Sequence, residues 1–235
     1  MPTRACCRRC GSSAIACADS RNSHQHKVLG TQEDFNMTPR SPSLTRWLAP
    51  ALFVAALGSA LPAWATQVRL KTSMGDIVVA LDAEKAPKTV ANFEAYVKKG
   101  HYNGTIFHRV INGFMIQGGG FTTQFEQKKT DAPLAHEGPE VAKRGGLPKT
   151  RGTIAMARTQ DPNSATAQFF INVKDNAFLN YVSPTLQGYG YVAFGRVTQG
   201  MDVVDKIKAV PVGRAGPYSD VPMEPIVILN ATLEQ

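Results

Sequence analysis

The sequence predicts a mainly β domain, a sandwich or a closed barrel, carrying two α-helices. Three observations point there. Short β-rich runs recur at fairly even spacing through residues 66–235. Only two stretches show helical periodicity. No internal repeat and no linker divides the segment, so one domain accounts for it.

Taken in order, Val68–Leu70 and Ile77–Leu81 are apolar runs around Thr72-Ser73-Met74-Gly75-Asp76, a hairpin signal. Pro87 suits the first turn of a helix. Val90, Phe93, Tyr96 and Val97 then recur at helical spacing. Lys98 and Lys99 complement the C-terminal end of that helix's dipole, and Gly100 closes it in a left-handed conformation. Further strands are predicted over Thr105–Ile111, Phe114–Gln117, Thr153–Ala157, Phe169–Val173, Tyr191–Val197 and Ile226–Leu229. A second helix covers Met201–Ile207 and again ends in Lys. The polar, Gly- and Pro-marked stretch Thr122–Thr150 reads as loop.

The chain has 235 residues and a formal net charge of +8, but the totals change once the front is set apart. Of the 18 Asp and Glu, 15 lie after Ala65, and of the 26 Lys and Arg, 19 do, so residues 66–235 carry a formal +4. Met37 to Ala65 shows the three parts of a secretory signal peptide. Arg40 and Arg46 supply positive charge, Leu48 to Leu61 is apolar apart from Pro50, and Ala63-Trp64-Ala65 is a small-x-small cleavage site. The apolar run is short of the roughly 20 residues that a membrane anchor needs. Export with cleavage after Ala65 is expected, without stable membrane association afterwards. The destination is the periplasm; secretion to the medium uses the same signal. Residues 1–36 push this signal inward, so they are expected to be a disordered or untranslated leader, with translation starting at Met37. A Cys-rich metal-binding leader is the alternative. Cys6, Cys7, Cys10, Cys17, His24 and His26 loosely resemble a ligand set, but no second half with regular spacing supports it.

All 4 Cys precede Thr66. A disulfide scaffold, a thiol nucleophile and a cysteine metal site are therefore excluded for residues 66–235. The chemistry gathers in separated segments. These are Phe107-His108-Arg109-Val110-Ile111 with Phe114-Met115-Ile116-Gln117-Gly118-Gly119, then Gly152 to Arg158, Ala167 to Asn172, Phe178-Leu179 and Gly190 to Gly195. The glycines of 118–120 lack the Lys-Ser/Thr of a phosphate loop and open no helix. Together, in this order and spacing, the segments resemble the cyclophilin family of peptidyl-prolyl cis-trans isomerases. The resemblance runs from about Val68 to Leu229. It implies a closed antiparallel β-barrel capped by two α-helices, and an isomerase of X–Pro peptide bonds with no cofactor and no metal.

Rotating an X–Pro amide means crossing a barrier of about 18–20 kcal/mol, because resonance makes the C–N bond partly double. Unaided exchange takes roughly tens to hundreds of seconds. Reaching milliseconds needs roughly a 10⁴–10⁵-fold gain, or about 5.5–7 kcal/mol. No covalent bond breaks, so an apolar grip on the proline ring and a fixed donor aimed at the twisted amide suffice. By resemblance, Arg109 is that donor and Gln117 its polar partner at the substrate backbone. Phe114, Met115, Phe170 and Leu179 match the proline pocket; Gln168 and Ala157 match contacts to the substrate chain. Strict alternation puts Phe114 opposite Met115 and Gln117, so Phe114 needs a bend, which Gly113 could allow. Alternation also turns His108 away from Arg109 and makes it structural.

Four positions depart from the family pattern, among them Gly120, which stands where Gly-Gly is often followed by Asp. Phe178 stands where many eukaryotic members carry Trp, whose indole N–H donates to cyclosporin, so weak cyclosporin binding is expected. Arg158 replaces a common Asn, adding charge at the groove edge, and Tyr191 appears where His is frequent. Proline-containing unfolded or extended polypeptides are the expected partners of a monomer. Two other classes compete. A non-catalytic proline-peptide binding module or holdase would be favoured had Arg109 been lost. A nucleic-acid binder is disfavoured, since Lys128-Lys129 and Lys143-Arg144 lack interleaved aromatics.

Overall fold

The computed structural model describes residues 66–234. The leader and signal-peptide readings, on residues 1–65, lie outside the described residues. Eight antiparallel strands close into a barrel. They are β1 Gln67–Thr72, β2 Gly75–Leu81, β3 Thr105–Ile111, β4 Met115–Thr122, β5 Thr153–Met156, β6 Phe169–Asn172, β7 Ala193–Gln199 and, last in the chain, β10 Val227–Glu234. Their order around the barrel is β1-β10-β3-β4-β6-β5-β7-β2. A separate two-stranded hairpin, β8 Val212–Ala215 and β9 Tyr218–Pro222, lies against β3.

Period-2 alternation builds the core. Each of the eight barrel strands sends at least one residue into a single buried apolar cluster, among them Leu70, Val79, Phe107, Ile116, Ile154, Phe169, Phe194 and Ile228. Helix α1, Pro87–Lys98, adds Phe93, which touches Tyr102, Phe169 and Phe194 at ring centroid distances of 5.1, 5.7 and 5.0 Å. Helix α3, Met201–Lys208, adds Val204 and Ile207. These two helices are the ones the periodicity predicts.

The stretch expected as loop holds a third, short helix, α2 at Gly138–Lys143, started by a Pro in its first turn. The residue before it matters more than the helix. Glu137 is buried and accepts from the backbone N–H groups of Lys88 and Thr89 at 3.2 and 2.8 Å. Helix α1 has no side-chain cap of its own, so a distant carboxylate satisfies its first donors and complements its dipole. Sequence boundaries shift elsewhere too: β4 and β10 run further than expected, and Tyr191 precedes β7 rather than starting it.

Candidate active site

The site lies on the other face of β4, β5, β6 and β7. Neighbours in sequence part here. Ile116, Ile154, Phe169 and Phe194 enter the interior cluster, while Met115, Ala155, Phe170 and Ala193 form a second buried cluster with Leu179. Phe114, Ala157, Leu147 and Tyr191 pack against this second cluster. Their arrangement leaves a cavity of about 200 Å³, walled by Arg109, Phe114, Met115, Gln117, Ala157, Arg158, Phe170, Leu179 and Tyr191. Nine of the eleven site residues expected from the sequence thus share one cavity. The other two are at its edge. Gln168 accepts a hydrogen bond from Gln117 Nε2 at 3.1 Å, and its own carbonyl accepts from Ala157 N–H at 2.9 Å. Phe178 is 73 % exposed and stacks on Phe114 at 5.7 Å, forming the rim rather than the floor.

The backbone explains these placements. Phe114 lies in the turn between β3 and β4, before the strand begins. Gly113, at φ +78°, supplies the left-handed bend that frees it from strand alternation. Asn176 then fixes it, donating from Nδ2 to the Phe114 carbonyl at 2.9 Å and to Asn172 Oδ1 at 2.7 Å. Asn172 in turn donates to Thr153 Oγ1 at 2.9 Å. Both asparagines are buried, so this network ties the rim to β5 and β6 in a low-dielectric setting. The glycines of β4 serve packing: a Cβ on Gly120 would lie 2.5 Å from the Gln168 side chain.

Arg109 sits at the cavity's polar end. Its Nε is 3.6 Å from Asp220 Oδ2 of β9, and both side chains are partly exposed. Asp220 has φ +60°, an uncommon conformation for a residue with a side chain, and Ser219 Oγ donates to its carboxylate at 3.2 Å. The ion pair expected of an ordinary surface arginine is therefore present, but it engages the Nε edge of a side chain that also lines the cavity.

Next to Arg109, strict alternation fails. Phe107 pairs with Gly118 and Arg109 with Gln117, so His108 is an extra residue on β3. This bulge lets Phe107 and Val110, three residues apart, both enter the interior cluster. His108 is buried against Phe121 at 4.8 Å. Desolvation, helped by the Arg109 charge, lowers its pKa to about 4. It is neutral at pH 7 and its place is structural, though the bulge rather than alternation decides where it sits.

Arg158 is fastened to the wall. Its guanidinium lies over the Tyr191 ring, 4.8 Å from the centroid, and donates to the carbonyls of Gly190, Thr159 and Gln160 at 2.9, 2.8 and 3.2 Å. Tyr191 meets Phe170 edge-on at 5.3 Å. Sequence reasoning did not find Asp220 or Asn176, and it placed Asn172 only as the end of a motif segment.

Residues 67–233 match the model of the family described as "Cyclophilin type peptidyl-prolyl cis-trans isomerase/CLD". The chain is 58% identical over 166 residues to "Peptidyl-prolyl cis-trans isomerase cyp18" of Streptomyces antibioticus, covering 71% of this chain and 97% of that one. It is 55% identical over 168 residues to "Peptidyl-prolyl cis-trans isomerase B" of Escherichia coli, covering 72% and 99%. A crystal structure of a cyclophilin type peptidyl-prolyl cis-trans isomerase of Cryptosporidium parvum superposes with a TM-score of 0.56 at 28% identity, covering 72% of this chain and 98% of that one.

Proposed function

The chain belongs to the cyclophilin-type peptidyl-prolyl cis-trans isomerases, and from that premise we propose that it isomerises X–Pro bonds in exported polypeptides as they fold. The observation that carries the reading is the shared cavity: a guanidinium and an amide at one end, and an apolar floor of Met115, Phe170 and Leu179 at the other.

The proline ring seats on that floor, where burial of apolar surface grips it. The peptide then runs past Ala157, whose small side chain leaves room for an extended backbone. As the amide twists, resonance is lost and the nitrogen gains lone-pair character. Arg109 donates to the group where that charge gathers, beside the apolar walls of Phe114 and Phe170. Asp220 holds the Nε edge and leaves the terminal nitrogens free for substrate. Gln117, braced by Gln168, orients the peptide. No proton moves, so neutral His108 has no part in the step.

Cleavage after Ala65 and a periplasmic destination belong to the same proposal, supported by the tripartite pattern of residues 37–65. So do a monomeric state and partners that are unfolded or extended proline-containing chains. Phe178 offers no N–H to cyclosporin, so inhibition in the nanomolar range would contradict the assigned rim.

The decisive experiment is exchange NMR on an X–Pro peptide with the wild type and Arg109→Ala. Turnover should fall about 100-fold, equivalent to about 2.7 kcal/mol of barrier, with the melting temperature unchanged. Near-normal turnover would refute Arg109 as the donor. A wild type that binds the peptide without accelerating exchange would instead favour the binding-module alternative.

A further inference from the structure

A second cavity, of about 210 Å³, uses Tyr191 as a wall in common with the proline pocket. Gly146, Leu147, Lys149, Asn180 and Tyr181 also line it, and no Asp or Glu does. Lys149 is only 5 % exposed. Its hydrogen bonds among the described residues are backbone ones. Its N–H donates to Asn180 Oδ1 at 3.1 Å, and its carbonyl accepts from Asn176 at 2.7 Å. The ion pairs of the described residues do not include its ammonium. A buried cation without an anion is costly, and desolvation accordingly lowers the Lys149 pKa to about 8, which still leaves it mainly charged at neutral pH.

Two neutral donors line the same cavity. Asn180 Oδ1 is occupied by the Lys149 N–H, while the Asn180 amide nitrogen and the Tyr181 hydroxyl have no hydrogen-bond partner among the described residues. One ammonium, two neutral donors and no competing carboxylate form a donor set suited to a carboxylate. Arg158, the cation nearer the groove, is already bound to three carbonyls and stacked on Tyr191. The two cavities are close in the chain as well as in space: Leu179 lines one and Asn180 the other.

We propose that this cavity takes a carboxylate carried by the substrate chain itself, an Asp or Glu side chain a few residues from the isomerising proline. This rests on the isomerase reading of the neighbouring pocket. An extended peptide advances ~3.3–3.6 Å per residue, so two to four residues carry it from the proline pocket to the far side of Tyr191. The chain thereby prefers acidic over neutral proline segments, and Lys149 reads the difference.

The test uses matched peptides with one X–Pro bond, carrying Glu or Gln two, three or four residues before or after the proline. Binding is measured by calorimetry and turnover by exchange NMR, on the full chain and on Lys149→Met and Lys149→Gln. In at least one register the Glu peptide should bind the wild type about tenfold more tightly than its Gln partner, as a charge-assisted hydrogen bond implies. Both variants should bring that ratio to about one, their folding checked by circular dichroism. Equal binding of Glu and Gln peptides in every register would overturn the proposal. So would a preference that survives both substitutions, which would assign it to Arg158 or to the chain's general positive charge. Absent turnover with a clear Glu preference would count against the isomerase reading alone.

Discussion

The barrel carries two apolar clusters made from adjacent residues of the same strands, and they differ in completeness. The interior cluster is closed. Phe93, Tyr102, Phe107 and Phe169 are almost wholly buried and surrounded on all sides. The outer cluster around Met115, Phe170 and Leu179 is equally apolar and nearly as buried, but one side of it is the wall of the cavity. Folding fills the first; a substrate proline is the natural filler of the second. Stability and function are thus separated by one step along a strand, as between Phe169 and Phe170.

That separation can be broken directly. Phe169→Ala should cost about 3–5 kcal/mol of unfolding free energy, as for a large aromatic removed from a closed core. Phe170→Ala should cost less, because its ring, though buried, walls the cavity and the space it vacates opens onto it. It should instead raise KM for an X–Pro peptide. Urea unfolding and exchange kinetics on both variants read the contrast; equal stability losses would erase the distinction.

Buried histidines outside both clusters add a pH signature. His108 is held below its ordinary pKa, at about 4, so the unfolded chain binds a proton more readily. Its contribution is complete above about pH 6.5 and is lost as pH falls toward 4, worth about 3 kcal/mol. His101 and His136, also lowered by burial, act in the same direction. The melting temperature should therefore drop across that window, while turnover corrected for the folded fraction stays flat. A matching titration in turnover would give His108 a chemical role.

The smallest effect concerns how the polar end of the cavity is aimed. Asp220→Asn should lower kcat about fivefold with KM little changed, in line with the modest worth of a partly exposed ion pair. Asn tolerates the left-handed backbone at this position, so the fold is spared. A fall in KM or in stability without change in kcat would show that Asp220 only anchors the hairpin.

The eight barrel strands and both main helices were legible because they follow from period 2 and period 3.6 in the apolar residues. The site was legible only as a resemblance: no pattern in Phe114, Gln117 or Phe170 distinguishes a pocket wall from core. What escaped reading was non-local. Glu137 caps a helix 49 positions earlier in the chain. Asp220 reaches Arg109 through a hairpin that polar residues had concealed. Asn176 anchors Phe114 across 62 positions. The bulge at His108 left no sign, since an inserted residue changes the register without changing the composition.

By itself the sequence determined where the barrel strands and the two main helices would lie, and which segments carry the family's chemistry, because those depend on neighbours a few positions away. The tertiary structure alone decided that Phe114 bends into the site, that Arg109 is held from behind by a carboxylate, and that Lys149 is buried without an anion. Those outcomes depend on distance through space, and closing a barrel brings together residues whose separation along the chain tells nothing of it.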